Sequence, residues 1–380
     1  MNTELIALLG LALLASGVHA AEDDCYRAER LNDGQPIITR AMFEEADIGW
    51  QGRNINGPSV IRVPEWLRPR LADTPAAAAN YLLYFGNHGG NYIRMAHARS
   101  IEGPYTLYRM GRDVPKGERG VLDLGPRDEI MIGNDLSVHN HIASPQVRLD
   151  HEQKRVLMYF HGPIKGHEGV QVRGNNQKTL VAVSENGLKF REGIKPVIVG
   201  FAYYDPFEIG GQLYAVASRG SLYKARDPEN PFTPPANWDY GEELWLAEGK
   251  HPSDNPFQHA INEAKKAGKL PDHVRRGRHF YVHVEGDRIE FFYTRVGDAP
   301  ERILMSVVDA DADDDESDPF TKWEPSFPPC ELLAPERQWE GTEYPVKPSR
   351  GSAGTGVRQL RDPHVFGDAD GKLYMFYTGS

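Results

Sequence analysis

"RDPHVFGDADGKLYMFYTG", residues 361–379, decides the fold. It reads as a short strand, a turn holding Gly and Asp, and an aromatic strand. Pro363 stands near the start of the first run, where its missing N–H need not cost a ladder hydrogen bond. The same form recurs upstream. "GPSVIRV" (57–63) precedes "NYLLYFGNHGGNYIRMAHA" (80–98), and "SPQVRLD" (144–150) precedes "RVLMYFHG" (155–162). "DPFEIGG" (205–211) runs into "QLYAVASRGSLYKARD", and "HFYVHVEGD" (279–287) into "RIEFFYTRVGD". Five units therefore open at positions 57, 144, 205, 279 and 362, a mean spacing of about 76 residues.

A four-stranded antiparallel sheet fits each unit. Such a sheet cannot bury its faces alone, and radial stacking of five solves this. The expectation is an all-β chain forming a five-bladed β-propeller over residues 50–380. Two β-sandwiches would not require a shared opening motif. Alignment puts Gly57, Ser144, Asp205, His279 and Asp362 at one position, with Pro58, Pro145, Pro206 and Pro363 following four of them. These five side chains should ring the mouth of the central channel. The fifth unit shows no third strand before Ser380, so the last blade reads as truncated, with "QPIITRAMF" (35–43) as a closing strand. Residues 256–277 read as a short amphipathic helix ending at Gly268 or before Pro271, inserted between blades 3 and 4. Residues 335–358 read as a long loop.

Composition narrows the partners. The 380 residues are 40% hydrophobic and 26% charged, with 38 Gly, 28 Pro and 10% aromatics, as expected of a globular β-rich protein. A net charge of −11 argues against nucleic acid and anionic membrane surfaces. Residues 5–18 form an apolar run too short for a comfortable bilayer span, and Val18 and Ala20 suit cleavage after Ala20. Residues 1–20 thus read as a signal peptide, with an uncleaved N-terminal anchor as the alternative, 21–49 as an N-terminal arm, and the location as periplasmic or secreted. Cys25 and Cys330, the only cysteines, then suggest one disulfide. A monomer is expected.

Several stretches carry a resemblance. The X-Pro strand openings followed by aromatic strands resemble the five-bladed propeller glycosidases of the arabinanase, invertase and levansucrase superfamily. Arg361-Asp362-Pro363 resembles the Arg-Asp-Pro motif of its invertase-like branch. "NINGPSVIRVPEW" (54–66), "HIASPQV" (141–147), "RVGDAPERIL" (295–304) and "LRDPHVF" (360–366) resemble a group of exported bacterial glycosyl-hydrolase-like proteins. The resemblance implies a carbohydrate ligand and acid–base cleavage of a glycosidic bond. It also implies an acid at the first-blade position, where this chain has Gly57.

Glycoside hydrolysis needs two carboxyl groups across the scissile bond. The ring offers Asp205 and Asp362, with Glu208 on the opposite side of the strand from Asp205. His279 can serve as acid near neutral pH, as a histidine does in the neoagarobiose-hydrolase branch. Asp205, His279 and Asp362 are the expected catalytic residues. His88, Ser144, His161, Arg219, Arg295 and Arg361 are the expected substrate contacts. Arginines at the ends of the aromatic strands suit a uronate or sulfate; the alternative is that they lock blades by pairing with Asp205 or Asp362. Trp50, Tyr203, Tyr204, Trp339 and Tyr344 could stack on sugar faces or pack between blades. No cofactor is required, and an axial structural calcium is compatible with the architecture. "DADADDDESD" (309–318) lacks the Gly and Glu of a calcium-binding EF-hand loop and reads as a solvated acidic turn. The alternatives to a hydrolase are a non-catalytic glycan-binding propeller and a polysaccharide lyase.

Overall fold

The computed structural model describes residues 9–16, 25–133, 135–168, 177–225, 255–310, 323–349 and 356–379. The acidic run 311–318 lies outside them. Five antiparallel sheets form the five blades. Their inner strands are Asn56–Arg62, Ala143–Asp150, Asp205–Ile209, Arg276–Glu285 and Arg361–Gly367. Each pairs with an aromatic strand: Tyr81–Gly86, Arg155–Gly166, Gln212–Ala217, Arg288–Val296 and Leu373–Thr378. Tyr81–Gly86 is buried at every position rather than at alternate ones. That is the pattern of a strand covered on both faces, here by the neighbouring blades. The apolar side chains accordingly form separate layers between adjacent blades, with Tyr84 and Phe160 in one and Phe207 and Phe291 in another.

The shared opening motif is a β-bulge. Pairing slips between Asn56 and Ser59, Ala143 and Gln146, Arg278 and Tyr281, and Arg361 and His364. The residue opening each slip has positive φ: Gly57 (58°), Ser144 (48°), His279 (53°) and Asp362 (50°). In blade 3 the residue with this backbone is Tyr203 (61°), not Asp205. The unit expected to open at 205 therefore opens at 203. The Asp-Pro pair of blade 3 lies two residues further along its strand than the X-Pro pairs it imitates. Proline fits the second bulge position because that residue has no ladder partner.

Two residues past the bulge, side chains latch three of the five blades to the next. Ser59 Oγ accepts from the Val147 N–H (2.9 Å), Asp205 Oδ2 from the Val282 N–H (2.8 Å) and His364 Nε2 from the Val60 N–H (3.1 Å). Blade 3 presents Pro206 where the others present a donor, and Gln146 Oε1 of blade 2 is buried without a partner. The missing N–H of proline accounts for that.

Blade 5 is completed from the N-terminal side. Leu9–Ser16 pairs with Leu373–Thr378, and Tyr26–Arg30 pairs with Leu9–Ser16. The closing strands are thus not residues 35–43, which supply one bridge at Ile38 and the start of the helix Arg40–Glu45. Part of the apolar run read as an export signal is a strand whose Leu9, Leu11 and Ala12 are buried. Cys25 and Cys330 form a disulfide, Cα–Cα 5.6 Å, that ties this arm to the outer strand of blade 4. The insertion helix is Pro256–Lys266, capped by Asn255, and Gly268 just beyond it has φ 69°. No described helix is long and apolar enough to cross a membrane.

Candidate functional site

The bulges bring Gly57, Ser144, Tyr203, His279 and Asp362 together around a channel mouth that encloses only about 20 Å³. That volume holds about one water, so a sugar ring does not fit between these residues. A Cβ on Gly57 would meet Ser144 Cα at 2.8 Å, so blades 1 and 2 touch here and no side chain fits. Tyr203 is bulky for a positive φ, a conformation that costs of order 1–3 kcal/mol and concentrates at functional sites. Its ring lies 4.6 Å from that of His161 and 4.9 Å from that of His279. His279 Nδ1 is 3.3 Å from Asp362 Oδ1, and Thr378 Oγ1 donates to Asp362 Oδ2 at 3.0 Å.

A second tier comes from the turns beside the ring. His88 lies with Asn54 and Asn56, whose Nδ2 is 2.9 Å from His88 Nδ1. The His141 ring is 5.9 Å from that of His161. Arg278 Nε donates to Glu301 Oε1 (2.7 Å), and Arg361 Nε is 3.4 Å from Glu301 Oε2. Asn56 Oδ1, Ser144 Oγ, His161 Nδ1 and His279 Nδ1 are buried and have no hydrogen-bond partner among the described residues. Buried polar atoms are almost always satisfied, so this concentration of exceptions marks the mouth as a place built for something else to bind.

Burial sets the protonation states. It pushes His161 well below the ordinary histidine value; His279 is pushed there too, further helped by Arg278 and Arg361. His88 is pushed down to about 3 by burial and then by Arg361. The imidazoles are therefore neutral. Burial raises the Asp362 carboxyl against the pull of Arg361, Thr378 and the Gly57 N–H. The Tyr203 hydroxyl is pushed up to about 12 by burial and by Asp362. Burial also acts on Glu301, but Arg361 and Arg278 outweigh it and hold that carboxyl low. Burial thus favours the protonated form of Asp362, while the arginines favour the charged form of Glu301.

The structure brings His88, Ser144, His161, His279, Arg361 and Asp362 together at this end of the channel. Two expected residues do not serve there. Asp205 is fully buried, latched to Val282 and paired with Arg148 (2.6 Å). Arg295 is buried and paired with Asp298 (3.0 Å) in its own blade, around a turn at Gly297 (φ 103°). Arg219 is exposed, next to Ser218, whose hydroxyl bonds the Ala202 carbonyl beside Tyr203. Of the aromatics, Tyr204 stacks on Tyr159 and Trp339 on Tyr377, leaving Trp50 exposed (65%). Missed were Arg278, Glu301 and the central place of Tyr203. Arg278-His279 and Arg361-Asp362 occupy matching bulges, a repeat visible in the sequence. The mouth offers a calcium Asp362 and a Glu301 already engaged by Arg278 and Arg361, a donor set that does not fit that ion.

The opposite mouth holds a larger cavity of about 780 Å³, lined by Val60, Val147, Val282 and Val365. Its rim carries the pairs Arg62–Asp368 (2.6 Å) and Arg68–Glu65 (3.0 Å), the exposed Glu208, and His364, whose Nδ1 is buried without a hydrogen-bond partner among the described residues.

No family model matches the chain. An uncharacterized protein of Acanthamoeba polyphaga mimivirus, R118, is 32% identical over 326 residues, 86% of this chain and 80% of that protein. This chain belongs to the same family. Similar solved structures include an α-L-arabinofuranosidase from Lactobacillus brevis (13% identity, 78% of each chain, TM-score 0.45). Another is a Cellvibrio cellulosa α-L-arabinanase complexed with arabinohexaose (11% identity, 85% of this chain and 86% of that one, TM-score 0.44).

Proposed function

We propose that this chain binds a poly- or oligosaccharide over the Gly57–Ser144–Tyr203–His279–Asp362 mouth and hydrolyses a glycosidic bond there. The observation that carries the reading is the approach of His279 Nδ1 to Asp362 Oδ1, 3.3 Å, beside Ser144 Oγ and His161 Nδ1, all three of the N and Oγ atoms buried without a hydrogen-bond partner among the described residues. At that separation the two act as one unit, because residues on opposite sides of a scissile bond stand about 5–9.5 Å apart. Asp362, its carboxyl raised by burial, gives its proton to the leaving oxygen, and neutral His279 orients it. His161, neutral and on the far side of Tyr203, takes a proton from the attacking water. Water thus adds across the bond, and proton return from His161 to Asp362 through solvent resets the site. Incubation with neutral and acidic oligosaccharides should release reducing ends, and Asp362→Asn should lower kcat/KM by about 100-fold or more. Equal turnover by Asp362→Asn would remove that residue from the mechanism.

One observation favours a second reading, β-elimination next to a uronate. The ring has a single carboxyl, while Arg276, Arg278 and Arg361 act on Tyr203. An unsaturated product absorbing in the near ultraviolet, with no hydrolytic product, would establish it. Saccharide affinity without either product would make the propeller a binding module.

The disulfide supports an oxidising compartment, periplasmic or extracellular. Mass measurement of the mature chain tests the leader reading of residues 1–20. Cleavage after Ala20 would remove Leu9–Ser16 from blade 5.

A further inference from the structure

Arg219 and Arg276 stand on adjoining blades: Gly220, next to Arg219, packs on Phe280 of the strand Arg276–Glu285, the strand that carries His279. Arg219 sits in the turn after the aromatic strand of blade 3, with φ 68°, unusual for a side chain of its size. Several contacts over-determine that turn. Ser218 donates both its N–H (2.9 Å) and its Oγ–H (2.7 Å) to the Ala202 carbonyl, next to Tyr203. Gly220 is seated so closely between Phe257 and Phe280 that a Cβ would meet them at 2.9 and 3.0 Å. Asn255 does two jobs: its Oδ1 caps the insertion helix at the Gln258 N–H (2.9 Å), and its Nδ2 donates to the Arg219 carbonyl (3.1 Å).

Arg276 opens the inner strand of blade 4, partly buried. Burial, and then the charges of Arg219, Arg278 and Arg275, work against its protonation. Its charge is felt at Tyr203. Arg278 beside it is satisfied by Glu301. Arg219 and Arg276 have no side-chain ion pair or hydrogen bond among the described residues. Holding two like charges together without a counter-charge is unfavourable, yet the turn is fixed by five separate contacts rather than free to swing away.

We propose that Arg219 and Arg276 form an oxyanion subsite on the rim of the mouth, positioned by Asn255, that takes a carboxylate or sulfate group of the saccharide. Planar guanidinium forks match such groups. The proposal deepens the saccharide reading above by naming an anionic substrate class, and it assigns the insertion helix a purpose: Asn255 aims Arg219. It is independent of which bond is cleaved.

The test is calorimetric titration of the full chain with three probes: inorganic sulfate, a glucuronate-containing oligosaccharide and a sulfated galactose oligosaccharide, each at low salt. Saturable binding of at least one anion is expected, weakened about 10-fold or more in Arg276→Gln and in Arg219→Gln, with a neutral oligosaccharide unaffected. Preference for the uronate or the sulfated probe identifies the source of the anion. Asn255→Ser keeps a good helix cap but shortens the reach to Arg219. It should weaken anion binding as Arg219→Gln does while Tm stays near wild type. Sulfate binding that the arginine variants lose sustains the subsite even if no saccharide is bound or cleaved, in which case only the saccharide reading fails. Wild-type chain that binds none of the three anions, or binds them equally well in both arginine variants, overturns the subsite.

Discussion

At the scale of the residue, Asp362 and Asp205 show how position outweighs identity. Both carboxyls are buried and raised by burial. Asp362 meets His279 at the mouth, whereas Asp205 spends its two oxygens on Arg148 and the Val282 N–H. Asp205→Asn should therefore leave activity per folded molecule unchanged. It should cost about 3 kcal/mol by urea unfolding, the low end for a broken buried pair because the Arg148 side chain keeps 35% exposure. Loss of turnover without loss of stability would return Asp205 to the site. In the acid role, Asp362 must hold its proton, so kcat/KM should fall as pH rises through its pKa. That limb should lie above pH 3.8 and vanish in Asp362→Asn. The sequence contained the clue to the misplaced residue. Three residues past each bulge stands Val60, Val147, Val282 or Val365, and blade 3 has Pro206 there. Reading the unit from its proline shifted it by two places. Arg295 was misread for another reason: its partner Asp298 becomes a neighbour only through the Gly297 turn, which a strand-period reading does not register.

At the scale of the element, the five-unit count was legible because aromatic strands covered on both faces leave a dense apolar signature. The closing strand was not. An unbroken apolar run has no period to read, so Leu9–Ser16 looks equally like a leader and a buried strand. Its place between Leu373–Thr378 and Tyr26–Arg30 is set by pairing partners hundreds of residues away. The arm is pinned at three further points: the disulfide, Tyr26 Oη to Glu290 (2.8 Å), and Arg30 Nε to Glu340 (2.7 Å). The disulfide bridges residues 305 apart. Long closed loops constrain the unfolded chain most in the entropic account, so Cys25→Ser with Cys330→Ser should cost about 2–4 kcal/mol. Unfolding of the double variant at the same denaturant midpoint as wild type would show that the arm is held by its strand and ion pairs alone.

At the scale of the whole molecule, a channel lined by uncharged imidazoles makes stability depend on pH. His161, His279 and His364 are all pushed well below 6.5 by burial, while in the unfolded chain each protonates near its ordinary value. Between those limits the unfolded state binds more protons, so stability is full above about pH 6.5 and falls as pH drops. Each histidine contributes a slope of about 1.4 kcal/mol per pH unit. Asp205 and Asp362, raised by burial, act in the opposite sense, since the folded state then holds protons the unfolded state releases. With His88, His97, His141 and His283 also lowered and Asp298 also raised, seven histidines stand against three aspartates and leave a net loss on acidification. Denaturant midpoints measured from pH 7.5 to 5 should decline, most steeply below 6.5, and a flat profile would mean that these imidazoles are charged in the fold.

The central claim is that saccharide chemistry belongs to the bulge-lined mouth and not to the larger cavity at the other end of the channel. A crystal structure with a glucuronate-containing oligosaccharide bound tests it most directly. The account predicts sugar density over Tyr203, within hydrogen-bond reach of His279 and Asp362. Density confined to the cavity between Val60, Val147, Val282 and Val365, with the mouth bare, would contradict it.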